Sequence, residues 1–197
     1  MVVGLTGYTG AGKSAAAQIF RALGAYIIDA DELAHRVVAP GQPTLDEICR
    51  VFGQEMLLPD GTLHRRALGS LVFADAKKRK QLEQITHPQI LALTRQELQK
   101  AGGADVVLDA PVLFEVPELV KLCDKTVFVD AAQDVRLRRI MKRDGISAQE
   151  AQQRIDAQAF MEAWKAQCDL VVDNSGEWEQ LEETIQNWTE VQRGRHY

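Results

Sequence analysis

Five short runs of near-continuous apolar character punctuate the chain: Val2–Thr6, Tyr26–Asp29, Val106–Asp109, Thr126–Asp130 and Leu170–Asp173. They are rich in β-branched residues and lack the alternation of a half-exposed strand. Unbroken apolarity over so short a length suits strands buried on both faces of a parallel sheet. Stretches of helical periodicity lie between them, so the alternation predicts a doubly wound α/β core, a five-stranded parallel sheet flanked by helices. Four of the five runs end in aspartate. The carboxyl ends of parallel strands border the ligand crevice, so such acids could sit near a substrate or metal. For Asp130 and Asp173 the simpler reading is that they begin turns or cap helices.

The spacing of the runs is uneven. Between the second and third, Glu32 to Gly103 is too long for one crossover and is largely helical. Breaks are expected at Pro40-Gly41-Gln42-Pro43, Pro59-Asp60-Gly61 and Gly102-Gly103. A second helical insertion, Arg136 to Gln167, separates the fourth and fifth runs and breaks near Asp144-Gly145. The chain therefore divides into a core (1–31, 104–135 and 168–197), a helical substrate-binding insertion (32–103) and a helical lid (136–167). The tail, Arg193-Gly194-Arg195-His196-Tyr197, is expected to fray.

Composition narrows the picture. With 197 residues, 46% of them hydrophobic and 26% charged, the chain can bury a substantial core. A net charge of −5 argues against general affinity for nucleic acid or membrane surfaces. Cys49, Cys123 and Cys168 are widely spaced and odd in number, which suits reduced core thiols in a cytoplasmic protein. No apolar run approaches membrane-spanning length, and the start does not resemble a signal peptide. Oligomeric state is left open.

The sharpest signal lies directly after the first run. Gly7-Tyr8-Thr9-Gly10-Ala11-Gly12-Lys13-Ser14 matches G-x-x-x-x-G-K-[ST] between a predicted strand and a predicted helix from Ala15 to Leu23. Glycines let the backbone curl so that N–H groups converge on phosphate oxygens, and the helix N-terminus adds its positive dipole end. Lys13 can reach the β- and γ-phosphates, and the Ser14 hydroxyl can ligate Mg²⁺. These residues imply a site for a nucleoside triphosphate.

Other residues carry chemistry less unambiguously. Asp29 and Glu32 have the spacing of a capping box, which leaves Asp31 in the first helical turn. There it either complements the helix dipole or, facing a phosphate loop, accepts or orients a hydroxyl proton. Arg136, Arg139 and Arg143 share one helix face, either solvated or closing over phosphates. Ser147 and Glu150 fit a capping box beyond the break, as a hinge between two short helices would need. In the first insertion His64, Arg65, Arg66 and His87 could meet an anionic substrate, and His87-Pro88 should interrupt a helix. Trp164, Trp178 and Trp188 are scattered and read as structural. No set of side chains has metal-ligand spacing, and a guanine-reading Asn-Lys-x-Asp is absent.

Taken in order, these segments resemble the dephospho-CoA kinase family of P-loop kinases over nearly the whole chain. The resemblance runs through Gly4-Leu5-Thr6-Gly7, Gly10 to Ser14, Ile28-Asp29-Ala30-Asp31 and Val37 to Gly41. It continues through Phe52-Gly53, Asp60 to Arg65, His87-Pro88, Leu113-Phe114-Glu115, Arg139 with Met141 to Asp144, Arg154 with Gln158, and Asp173 to Gly176. It implies transfer of the γ-phosphate of ATP, with Mg²⁺, to the ribose 3′-hydroxyl of dephospho-CoA, giving CoA and ADP. It implies Asp31 as the catalytic carboxylate near that hydroxyl, acting with Lys13, Arg139 and Arg143. Gly10, Ala11, Gly12, Lys13, Ser14 and Ala15 would bind ATP, with Asn174 and Gly176 cradling adenine. Arg65, His87 and Glu115 would lie on the dephospho-CoA side. Departures from the family's usual Gly-Gly-Ile-Gly-Ser-Gly-Lys-Ser-Thr include Tyr8, Thr9 and Ala15, and Arg136 stands where glutamine is common. Rival readings are another small-molecule P-loop kinase, a nucleotide switch, or an ATP-binding protein without catalysis.

Overall fold

The computed structural model describes residues 1–194. Residues 195–197 of the expected frayed tail lie outside the described part. Five strands form one sheet: β1 (Val2–Gly7), β2 (Tyr26–Asp29), β3 (Val106–Asp109), β4 (Lys125–Asp130) and β5 (Leu170–Asp173), in the order β2-β3-β1-β4-β5. The β3–β1, β1–β4 and β4–β5 ladders are parallel, with Val3 opposite Val107 and Gly7 opposite Val129. The apolar runs thus became strands at nearly their predicted bounds. Burial follows position: β1, β3 and β4 are covered almost throughout, whereas the edge strands β2 and β5 are covered at alternate or fewer positions.

The chain folds as two compact units, Met1–Ile28 together with the chain from Ala101 onward, and Asp29–Lys100. In the first, α1 (Lys13–Ala22) turns Ala16, Ile19 and Phe20 onto the sheet. The C-terminal α10 (Trp178–Gly194) adds Leu181 and Ile185, and Trp188 meets Phe20 edge-to-face at 6.4 Å. Arg193, expected to fray, is instead fastened: its guanidinium donates to Asp105 at 2.7 Å and to the Leu23 carbonyl at 3.0 Å. Trp164 stacks on Phe114, at 5.8 Å, so it too is structural.

In the second unit, α2 (Ala30–Val37), α3 (Pro43–Phe52), α4 (Arg65–Ala74) and α5 (Ala76–Lys100) enclose their own core of Val37, Leu45, Ile48, Phe52 and Leu68. The breaks expected around 40–43, 59–61 and 102–103 fall between elements. The break at His87-Pro88 does not: α5 runs through it for 25 residues. Proline removes the N–H that the Gln84 carbonyl would accept. Apolar side chains on both sides of the fault, Leu82 and Ile85 before it and Ile90 and Leu93 after it, pack on the same cluster. That shared stripe carries the helix across a position that local propensity alone would break.

Back in the first unit, α6 (Pro117–Val120) precedes β4, and α7 (Gln133–Asp144), α8 (Ala148–Asp156) and α9 (Glu162–Lys165) lie between β4 and β5 in the chain. Gly145, in the left-handed region at φ 66°, ends α7. Ser147 and Glu150 cap α8 reciprocally, as their spacing predicts.

A polar clasp ties the edge strand β5 to β4. Asp169 accepts from the Lys125 ammonium at 3.0 Å, the Thr126 N–H at 2.8 Å and the Thr126 hydroxyl at 3.0 Å. Burial pushes the Asp169 carboxyl up, but these hydrogen bonds outweigh it and hold the group below the usual carboxylate range. A carboxyl lowered in the folded state stabilises above its unfolded pKa of about 3.9 and loses that contribution as pH falls through the folded value. Asp169→Asn should therefore melt below wild type at pH 7, with the difference shrinking as both are taken below about pH 4; a pH series of thermal melts reads this.

Candidate active site

The site grows from the turn between β1 and α1. A loop that offers N–H groups to an anion must place its carbonyl oxygens elsewhere. Here the Tyr8 carbonyl accepts from the Ala11 N–H at 3.1 Å, and the Gly12 carbonyl from Ala15 at 2.9 Å. The Ala11 carbonyl accepts from the Asn174 amide at 2.7 Å and from Arg139 Nη1 at 3.3 Å. The first N–H groups of α1 have no acceptor within the helix, and no side chain caps it at Gly12. The result is a helix N-terminus with its donors exposed and its loop carbonyls tied back, the geometry that binds phosphate.

Glycine is required at two loop positions. Gly12 lies at φ 92°, and a Cβ there would collide with the Asn174 amide nitrogen. Gly10 lies at φ 75°, where a Cβ would come within 2.9 Å of the Arg136 carbonyl. Lys13, the first residue of α1, forms an ion pair with Asp109, the last residue of β3, both largely buried. Ser14 and its hydroxyl are exposed, and Ala15 follows half-buried in the first turn.

The acids at the strand ends separate by function. Asp130 accepts from the Ala131 N–H at 2.7 Å and pairs with Lys165 at 2.8 Å. Asp173 accepts from the Ser175 N–H at 2.9 Å and from its hydroxyl, which in turn accepts from the Ala132 N–H at 2.7 Å. Both are turn-forming, as their sequence context suggests. Asp109 is different, because it meets the loop lysine. Sequence reading did not single it out, although it too closes an apolar run; what distinguishes it is that β3 lies beside β1, which sequence order does not reveal.

The three arginines of α7 have separate fates. Arg139 reaches the loop carbonyls. Arg143 is exposed and grips its neighbour Asp144 at 2.7 and 2.9 Å, and Arg154 pairs with the same carboxylate. The Arg143 hydrogen bond, reinforced by the charge of both arginines, holds Asp144 below the usual carboxylate range. Arg136 is buried against Tyr8. Asn174 is buried on the loop, Gly176 is exposed in the following bend, and Glu115 is exposed in the 3₁₀ turn Leu113–Glu115. A cavity of about 510 Å³ opens beside the loop, lined by Tyr8, Gln133, Arg136, Lys165 and Ser175 among others.

In the Asp29–Lys100 unit, Asp29 caps α2, accepting from the N–H groups of Asp31 and Glu32 at 2.9 and 3.1 Å. Asp31 itself is exposed in the first turn. His64 is absorbed structurally: its Nδ1 accepts the Ala67 N–H at 3.2 Å and caps α4. Arg65 is exposed at the start of α4 and His87 is half-buried within α5.

The family model for dephospho-CoA kinase, CoaE, matches residues 1–180. The chain belongs to the dephospho-CoA kinase family. A dephospho-CoA kinase of Syntrophotalea carbinolica is 43% identical over 188 residues, covering 94% of this chain and 89% of that one. Among solved structures, TT1252 from Thermus thermophilus superposes with a TM-score of 0.83 at 34% identity, covering 96% of each chain. A dephospho-CoA kinase from Campylobacter jejuni gives 0.71 at 26% identity, covering 98% of each. The family is one of ATP-dependent kinases. Among the described residues no helix is long and apolar enough to cross a membrane.

Gly12→Ala should combine a backbone penalty of about 1–3 kcal/mol with displacement of the Asn174 amide. A lower melting temperature together with at least a tenfold loss of ATP affinity, about 1.4 kcal/mol or more, is the expected result of melting and titration.

Proposed function

We propose that this chain phosphorylates the ribose 3′-hydroxyl of dephospho-CoA with ATP, using Asp31, Lys13, Arg139 and Arg143. The observation that carries the reading is the tied-back phosphate loop with Lys13 and Ser14 in place, in a chain whose family match spans residues 1–180. The N–H groups of Gly10 and of Gly12 to Ser14, with the Lys13 ammonium, hold the β- and γ-phosphates, and Asp109 positions that ammonium. Asn174 serves the nucleotide side by fixing Ala11, with Gly176 in the bend that borders adenine.

Mg²⁺ fits the donors present. The Ser14 hydroxyl and the Asp109 carboxylate are hard oxygen ligands. No group of three acidic, histidine or cysteine side chains gathers among the described residues. That suits an ion that arrives on the nucleotide and takes one or two protein ligands. When bound, it neutralises charge on the β- and γ-phosphates.

Asp31 is suited to the acceptor hydroxyl because Asp29 does the capping and leaves Asp31 exposed. It takes or orients the 3′-hydroxyl proton while the O3′–P bond forms and the bond from the γ-phosphorus to the β-bridging oxygen breaks, releasing ADP. Arg139 and Arg143 neutralise the transferring phosphoryl group, Arg143 exchanging Asp144 for phosphate. Residues 136–167 act as the lid, with Gly145 at its hinge, and 32–103 as the dephospho-CoA-binding insertion through Arg65 and His87, with Glu115 supporting from the core. Three unpaired cysteines suit a reducing cytoplasm.

Incubation with ATP, Mg²⁺ and dephospho-CoA should yield ADP and CoA by mass, and AMP or adenosine should give no acceptor-dependent ADP. Asp31→Asn should cut kcat by about a hundredfold or more while the KM for ATP stays within a few-fold. Undiminished turnover in that variant would remove Asp31 from the chemistry.

A further inference from the structure

Tyr8 and Arg136 touch one another. The Arg136 guanidinium lies 4.2 Å from the centre of the Tyr8 ring. The edge of Phe128 closes on the same ring at 4.9 Å, and the Tyr8 hydroxyl donates to Glu162 at 2.6 Å. Next along, the Thr9 N–H donates to the Gln158 side chain at 2.8 Å. Arg136 is only 9% exposed, and its buried Nε and Nη1 have no hydrogen-bond partner among the described residues. A buried guanidinium with two nitrogens lacking acceptors is costly, and a π-face compensates only part of what a carboxylate would supply. On stability grounds alone, a long apolar side chain would serve as well or better there.

The position explains what the charge accomplishes. Arg136 is pinned through Tyr8 on one side, and on the other its carbonyl, with Ile140 Cγ1, occupies the space a side chain at Gly10 would need. Tyr8 in turn supplies the carbonyl that closes the loop onto Ala11. One turn further along the same helix, Arg139 donates to the Gly10 and Ala11 carbonyls. Rotation or withdrawal of α7 would release all these contacts together. We propose that Arg136 is a positioning residue: stacked on Tyr8, it locks α7 against the phosphate loop and sets the loop in its ATP-binding shape. This rests on the reading of the loop as the ATP site; it extends that reading to a pair of residues that contact no phosphate.

The test uses the full chain and measures three quantities: direct binding of ATP with Mg²⁺, KM for ATP against KM for dephospho-CoA, and the melting temperature. Arg136→Met and Tyr8→Leu should each weaken ATP binding and raise its KM about tenfold, the size of one buried cation–π contact. The KM for dephospho-CoA should stay within twofold. Arg136→Met should melt at or above wild type, a result that a merely structural role would not give alongside lost affinity. Tyr8→Phe, which keeps the ring, should fall between wild type and Tyr8→Leu. In the double variant Tyr8→Leu/Arg136→Met the losses should fail to multiply, because the two residues act as one unit. ATP affinity within twofold of wild type in Arg136→Met, or fully multiplying losses, would overturn the proposal. If wild type bound ATP but did not phosphorylate dephospho-CoA, the acceptor assignment would fail while the binding measurements still decided the role of Arg136.

Discussion

The phosphate site depends on where the loop's carbonyl oxygens go. Any tight backbone turn carries as many acceptors as donors, and an anion repels the acceptors. This chain supplies donors behind the loop, from Asn174 after β5 and from Arg139 on α7. Both come from far along the sequence, so the site cannot assemble until the sheet has brought β1, β4 and β5 side by side. The same constraint explains Gly12, whose missing side chain is what lets the Asn174 amide approach the Ala11 carbonyl. The loop is therefore not a local motif resting on a scaffold; its shape is a consequence of the sheet order.

Sheet order also sorts the acids at the strand ends. Asp109, Asp130 and Asp173 all terminate buried strands and look equivalent in sequence. β3 is a neighbour of β1, so Asp109 meets the lysine that follows β1. Asp130 and Asp173 end β4 and β5 and are consumed by the turns that follow, together with Ser175 and Lys165. One residue type at one kind of position thus becomes either a partner of the phosphate-binding lysine or a turn former, according to which strand lies alongside.

Much of this was legible beforehand, and what was not has a common cause. Short apolar runs marked all five strands; in β1, β3 and β4 burial on both faces leaves little freedom for polar residues, while the edge strands β2 and β5 keep the run with fewer covered positions. The phosphate loop was legible because its glycines answer to local backbone geometry, and the Ser147–Glu150 cap because it closes within four residues. The helix through Pro88 was not, since the packing of Leu82, Ile85, Ile90 and Leu93 on α2–α4 residues outweighs the local penalty. The grip of Asn174 on the loop, the partner of Asp109 and the burial of Arg136 were also hidden. Each depends on a neighbour about a hundred or more residues away, and no spacing rule reaches that far.

The arginines of α7 show how one helix face can carry unlike tasks. They are spaced to share a side, and a reading by charge alone would assign all three to phosphate. Depth separates them. Arg136, nearest the helix start, is sealed over an aromatic ring; Arg139, one turn on, reaches loop carbonyls; Arg143, at the solvent end beside Gly145, is paired with the adjacent Asp144. A cation held by a buried ring cannot leave without exposing that ring, whereas one held by an exposed carboxylate can exchange partners at little cost. The gradient from sealed to exchangeable runs along the helix toward its glycine end. The fixed end of α7 therefore keeps its contacts with the loop, and the end beside Gly145 is the one whose ion pair can change partners.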